Sequence, residues 1–333
     1  RPQPGCGSWA PAIRHHRGEF TIYYPDPDYG IYVVKAQNPA GPWSEPLLVK
    51  EAKGWIDPCP FWDDDGRAFL VNALAGSRSG IKSILVVSRM SPDGTRMLDD
   101  GVIVFDGHDR NPTVEGPKLY KRNGYYYIFA PAGGVERGWQ LVLRSRDIYG
   151  PYEERTVLAQ GKTIVNGPHQ GAWVDTPNGE DWFIHFQDKG PYGRVVHLQP
   201  MRWVDDWPVM GEDEDGDGTG EPVLTYRKPD AGKAWPILTP PDSDEFNAPG
   251  LGLQWQWQAN PQPGWAFPTG SLGFLRVFNT LPPDGVRNLS EVPNLLLQKF
   301  PAPAFTATAK VTFTPRANGD KVGLVVMGLD YAY

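Results

Sequence analysis

Four times this chain repeats one phrase: an apolar or aromatic run, a tight turn closed by glycine, and a second apolar run. The turn glycines are Gly18, Gly66, Gly124 and Gly179, at spacings of 48, 58 and 55 residues. Asn123-Gly124 is the strongest of these turns, because a type I′ hairpin needs positive φ at both central residues. The repeats open at Ala10-Pro11-Ala12-Ile13, Asp57-Pro58-Cys59-Pro60, Glu115-Gly116-Pro117-Lys118 and His169-Gln170-Gly171-Ala172. A later strand follows in each, for example Ile31–Ala36 and Ile84–Ser88, and Ala40-Gly41-Pro42-Trp43 is echoed by Tyr149-Gly150-Pro151-Tyr152. Strand–turn–strand units at such a period predict an all-β chain with a β-propeller, and the absence of WD and kelch signatures excludes those two families.

Composition supports many short strands and turns. The 333 residues include 13 Trp, 14 Tyr and 14 Phe beside 38 Gly and 35 Pro, too aromatic for a disordered chain. The Pro-rich run from Pro229 to Pro241 reads as a linker. It divides a propeller, residues 1–235, from a second domain, residues 236–333. Short alternating runs at Leu272–Phe278, Asn294–Gln298, Phe305–Phe313 and Lys321–Met327 make that domain a β-sandwich. A net charge of −7 argues against a nucleic-acid partner. No apolar run approaches a membrane span, so a membrane partner is not expected. Cys6 and Cys59 read as two free thiols rather than one bridge. The first residue is Arg1, and Tyr333 falls within an apolar strand pattern, so a fragment at both ends is expected.

In a propeller the first strand of each blade lines the central channel. The residues ahead of the first strands, Trp9, Asp57, Glu115 and His169, are therefore expected together at the channel mouth. Two carboxylates facing one cavity suit glycoside hydrolysis. One keeps its proton for the leaving oxygen, and a neighbouring ionised carboxylate disfavours its ionisation. Trp9 is either blade packing or a platform for a sugar's apolar face. Arg194 either pairs with a surface acid or reaches a sugar hydroxyl. Asp26 is a tempting base, but it follows a second strand and so faces the wrong part of its blade. Asp213-Glu214-Asp215-Gly216-Asp217-Gly218 starts like a calcium loop, yet the twelfth position is Leu224 and Pro222 blocks a following helix, so it reads as a hydrated turn.

These residues resemble glycoside hydrolase family 43, the five-bladed-propeller β-xylosidases and α-L-arabinofuranosidases. The resemblance rests on Trp9-Ala10-Pro11-Ala12-Ile13-Arg14, Asp57-Pro58 with Trp62-Asp63-Asp64-Asp65-Gly66, Glu115-Gly116-Pro117 and His169-Gln170-Gly171. Phe246-Asn247, Leu253–Trp257 and Pro293–Gln298 look like the concanavalin-like β-sandwich of many members. The resemblance implies Glu115 as general acid, Asp57 as pKa modulator, and Trp9, His169 and Arg194 as substrate-binding residues. It implies no required cofactor, with a Ca2+ ion in the channel reached by His169 through water. The family's base is an Asp upstream of the Trp-Ala-Pro segment, so the general base is expected outside this chain, together with the first of five blades. Many members are exported or periplasmic.

The expected activity is inverting, exo-acting hydrolysis of terminal xylose or arabinofuranose from hemicellulose: xylan, arabinoxylan or arabinan. The alternative is a non-catalytic carbohydrate-binding propeller without the base. A protein-interaction propeller is disfavoured by the acids gathered at the channel.

Overall fold

Positive φ at both turn residues appears in the computed structural model at Arg17 and Gly18 (50° and 81°) and at Asn123 and Gly124 (51° and 74°). Such turns match the right-handed twist of the strands they join, so the hairpins close in two residues. The structure describes residues 6–328 and the backbone of 331–332.

Each repeat becomes a four-stranded antiparallel meander, and there are four among the described residues. The first blade holds β1 (Ala12–His16), β2 (Glu19–Asp26), β3 (Gly30–Ala36) and β4 (Leu47–Glu51). The second holds β5 (Trp55–Trp62), β6 (Ala68–Leu74), β7 (Ile84–Met90) and β8 (Val102–Asp106). The third holds β9 (Lys118–Arg122), β10 (Tyr125–Ala132), β11 (Trp139–Ser145) and β12 (Glu153–Leu158). The fourth holds β13 (His169–Asp175), β14 (Asp181–Asp188), β15 (Arg194–Val204) and β16 (Trp207–Met210). The outermost strands of the first three blades were not legible from the repeats, because β4, β8 and β12 are largely exposed or half-buried.

Successive blades bury their faces against one another. Tyr23, Ile31, Val33 and Val49 of the first meet Ala68, Leu70 and Met90 of the second. Phe69, Val71, Leu85 and Val87 of the second meet Leu119, Ile128, Leu141 and Leu143 of the third. Tyr127, Phe129, Val142 and Val157 of the third meet Phe183, Met201 and Trp207 of the fourth. Alternate residues of β6 and β10 point to opposite neighbours, which is why these strands read as continuous apolar runs. The outer faces of the first and fourth blades are instead exposed, with Ile13 and Leu48 on one and Ile184, Val196 and Leu198 on the other.

Polar ties reinforce the contacts. Asp63, from the Trp-Asp-Asp-Asp-Gly stretch, accepts from Lys121 Nζ and from the Tyr126 hydroxyl, both at 2.5 Å, joining the second blade to the third. Burial pushes the Asp63 carboxyl up, but Lys121 and Tyr126 outweigh it and hold the group below the usual carboxylate range. That stretch, met first as a family motif, is thus a blade-to-blade tie.

In the fourth blade His185 is buried between the rings of Phe183 and His197. Its Nδ1 lies 3.1 Å from the Phe186 carbonyl and its Nε2 lies 3.2 Å from Gln199 Nε2, whose Oε1 accepts from Val223 N–H. The carbonyl demands a donor at Nδ1 and the amide an acceptor at Nε2, so the ring is neutral. Burial lowers its pKa to about 4, against the Phe186 hydrogen bond and with help from His197. Because the folded value lies below the ordinary 6.5, the unfolded chain takes the proton first. Stability is present in full above that value and is lost as pH falls toward 4, by about 3 kcal/mol. Urea unfolding at pH 7 and pH 4.5 should show this loss, and His185→Gln should remove that part of the pH dependence.

The described residues divide into two compact units: residues 6–188 with 194–234, and residues 235–328 with Lys189–Gly193. The second unit contains short pairs: β17 (Gln256–Trp257) with β20 (Leu296–Leu297), β18 (Ala266–Pro268) with β19 (Leu275–Val277), and β21 (Val326–Met327) with β22 (Tyr331–Ala332). The strand expected over Phe305–Phe313 is not formed. Those residues are exposed and have no neighbouring ladder, and an isolated strand has nothing to satisfy its backbone. Cys6 and Cys59 are both free, the first exposed and the second buried.

Candidate active site

The inner strands carry an irregularity that turn spacing could not reveal. Ile56 pairs with Ala73 and Cys59 with Val71, so β5 has one residue more than its partner. His169 pairs with Phe186 and Ala172 with Ile184, the same insertion in β13. Such a bulge bends the strand and re-aims side chains. Its extra residue has positive φ: 54° at Asp57 and 50° at Gln170, with 59° at Gly116 in the third blade. Ahead of that residue, Trp9 N–H donates to Pro25 and Glu115 N–H to Pro131, at 2.9 and 3.1 Å. Trp9, Ile56, Glu115 and His169 are therefore the equivalent residues. Asp57 stands one residue further on, with Gly116 and Gln170, which corrects the expectation that it shares Glu115's position.

The bulges still bring the acids together. Asp57 Oδ2 accepts the Gly116 N–H at 2.7 Å. Glu115 Oε1 lies 2.7 Å from His169 Nε2. Asp57 is 3 % exposed and His169 1 %, whereas the Glu115 side chain is 26 % exposed. Burial pushes the Asp57 carboxyl up; Lys118 opposes this, Glu115 adds to it, and the Gly116 N–H and Gln170 side chain oppose it. Gly116 takes a positive φ of 59°, a backbone region that disfavours side chains, so replacing it strains the backbone. Gly171, with φ in the ordinary range, is required sterically, since its Cβ would meet the Phe183 ring at 1.9 Å.

The other expected residues lie as follows. Arg194 is exposed and sits over the Phe186 ring at 4.7 Å, with Asp188 3.9 Å away. Phe186 in turn lies 5.6 Å from the His169 ring, so Arg194 approaches the site through it. Trp9 is 37 % exposed and its ring faces the Arg78 guanidinium at 5.6 Å, with Arg78 donating to Asp28. Asp26 accepts the Asp28 N–H at 3.1 Å and so serves its own turn. Asp213, Asp215 and Asp217 form the single group of three or more candidate metal-ligating side chains among the described residues. Asp213 and Asp217 already accept N–H groups of their own loop, as a hydrated turn would.

Sequence reading missed Lys118, Gln170, Arg14 and Phe186. Lys118 is 6 % exposed and its Nζ donates to the Gly116 carbonyl at 3.2 Å. Arg14 donates to Cys59 Sγ at 3.0 Å and lies over the Tyr120 ring. A signal was available: both are cations within first strands, where side chains face a channel.

Comparison with known proteins gives the family of the chain. Residues 2–208 match the family description "Glycosyl hydrolases family 43". Residues 243–333 match "Beta xylosidase C-terminal Concanavalin A-like domain". A protein of Xylanibacter ruminicola that carries a beta-xylosidase name is 49 % identical over 308 residues, covering 92 % of this chain and 56 % of that protein. The beta-xylosidase of Formosa agariphila is 36 % identical over 294 residues, covering 78 % of this chain and 49 % of that protein. The crystal structure of xylan beta-1,4-xylosidase from Bacillus halodurans superposes with a TM-score of 0.74 at 28 % identity, covering 89 % of this chain and 59 % of that one. The chain thus spans about half the length of the curated relatives it matches. With a family match over most of the propeller and a second over the sandwich, the chain belongs to family 43 of the glycosyl hydrolases.

Proposed function

We propose that this chain carries the acid side of an inverting exo-glycosidase that removes terminal xylose or arabinofuranose from hemicellulose. The observation behind this reading is the contrast between two neighbouring acids. Glu115 is partly open to solvent and can meet a glycosidic oxygen, while Asp57 is sealed beneath it and can act only through its charge. Glu115 is then the general acid and Asp57 the modulator. In the acid form of Glu115, His169 Nε2–H donates to Oε1 and the proton sits on Oε2, facing the leaving oxygen. As the C–O bond breaks, that proton passes to the leaving group, and water activated by a second carboxylate attacks the opposite face. Inversion requires that base roughly 6.5–9.5 Å from the acid. Neither Glu115 nor Asp57 fills that role. The exposed apolar faces of the first and fourth blades suit a propeller with a further blade between them.

His169 also bears on the implied cation. With Nε2 taken by Glu115, Nδ1 is buried and has no hydrogen-bond partner among the described residues. A water, free or bound to a Ca2+ ion, fits that lone pair. Such an ion would supply positive charge in the channel, held through water at His169 rather than by a carboxylate cage. Arg194 and Trp9 are the substrate-binding candidates, one offering donors and the other a ring.

The test is hydrolysis of aryl β-xyloside and aryl α-L-arabinofuranoside, with the first-formed anomer read by proton NMR. Inverted product from the full-length protein supports the reading. Retained configuration removes the single-displacement mechanism, and binding of xylo-oligosaccharides without turnover favours the non-catalytic propeller.

A further inference from the structure

Four residues occupy the same register position on the inner strands: Ala12 opposite Tyr23, Cys59 opposite Val71, Lys118 opposite Phe129 and Ala172 opposite Ile184. Three are small, and the fourth is a lysine that is almost fully buried. A buried ammonium is costly unless an anion and hydrogen bonds compensate it. Its Nζ reaches the Gly116 carbonyl, and the N–H of the same residue is held by Asp57 Oδ2. Gly116 thus stands between a buried amine and a buried acid, in a backbone conformation that glycine adopts without strain.

We propose that Lys118 is a positioning residue that keeps Asp57 ionised, so that the charge of Asp57 holds the proton on Glu115. The proposal rests on the glycosidase reading for its catalytic consequence; the coupling itself rests on Gly116, whose carbonyl takes the buried Lys118 Nζ and whose N–H is held by the buried Asp57. The groups around the pair are few. From β1 comes Arg14, on Cys59 Sγ; from β5, Asp57 and Cys59; from the third blade, Glu115, Lys118 and Tyr120; from β13, His169 and Gln170. Burial lowers the Lys118 amine, Cys59 and Asp57 raise it, and Arg14 lowers it. Glu115 works against Asp57's charge, and Lys118 works for it. Removing the amine leaves burial and the neighbouring carboxylate opposed only by the Gly116 N–H and the Gln170 side chain, so Asp57 holds a proton more readily.

The test uses Lys118→Met, Lys118→Arg and Asp57→Asn in the full-length protein. Carboxyl 13C NMR gives the first readout, with the Asp57 resonance identified by its loss in Asp57→Asn. In Lys118→Met, Asp57 should titrate about one pH unit or more higher than in wild type. The second readout is the pH profile of kcat/KM. Its basic limb, where the general acid loses its proton, should move down by about one unit in Lys118→Met and return toward wild type in Lys118→Arg. In an Asp57→Asn background Lys118→Met should move the limb no further, because the charge it sustains is gone. An Asp57 titration unchanged by Lys118→Met overturns the proposal. Where Lys118→Met does not fold, Asp57→Asn reads the coupling in reverse: 15N NMR should show the Lys118 amine titrating lower than in wild type, and an unchanged amine overturns the proposal equally. Wild type without turnover defeats the glycosidase reading while both titrations still decide the coupling.

Discussion

On the proposed glycosidase reading, Glu115→Gln should lower turnover of xylo-oligosaccharides by about a thousandfold, within the 10²–10⁴ range general-acid catalysis supplies. Glutamine keeps the shape and still offers an oxygen to His169 Nε2–H, so the fold and the 2.7 Å contact persist. It has no acidic proton to give, and an alkoxide leaving group then departs unaided. An aryl glycoside with an acidic phenol needs little protonation and should lose far less. Comparing kcat on both substrates at fixed pH checks the assignment. Equal losses would mean that Glu115 binds or positions substrate rather than protonating it.

Phe129→Ala should cost about 4 kcal/mol, in the range for a buried phenylalanine. Phe129 is fully buried and faces the rings of Tyr120, Trp173, Phe183 and Trp203, at centroid distances from 5.1 to 6.4 Å. It therefore joins the third blade, which carries Glu115, to the fourth, which carries His169. The melting temperature should fall by roughly 10 °C, since about 2–4 °C accompanies each kcal/mol in a domain of this size. Turnover at a temperature where the variant is still folded should fall as well, because the Glu115–His169 spacing depends on that layer. Phe129→Leu, which leaves a smaller void, should keep most of both. A melting point unchanged by Phe129→Ala would show that the blades are held elsewhere.

Much of the fold was legible because local rules and the repeat agree. A glycine-closed turn between β-favouring runs has few alternatives, and four such units in series must stack to cover their apolar faces. Blade-packing residues such as Leu70, Tyr127 and Phe183 lie in the runs the repeat identified. The edge strands and the Phe305–Phe313 segment were less legible or misread, since pairing there depends on what lies alongside.

The sequence by itself determined the blades and brought Glu115, His169 and Asp57 into one neighbourhood, because turn chemistry and first-strand periodicity are local properties. Which atom faces which was decided only in the tertiary structure. A single bulge residue moves Asp57 off Glu115's position and under Gly116, whose N–H its carboxylate accepts. Burial then separates the two carboxylates into one that meets solvent and one that does not. Lys118 became visible for the same reason: its ammonium matters through what surrounds it, and the small Ala12, Cys59 and Ala172 that hold the equivalent position belong to three other blades.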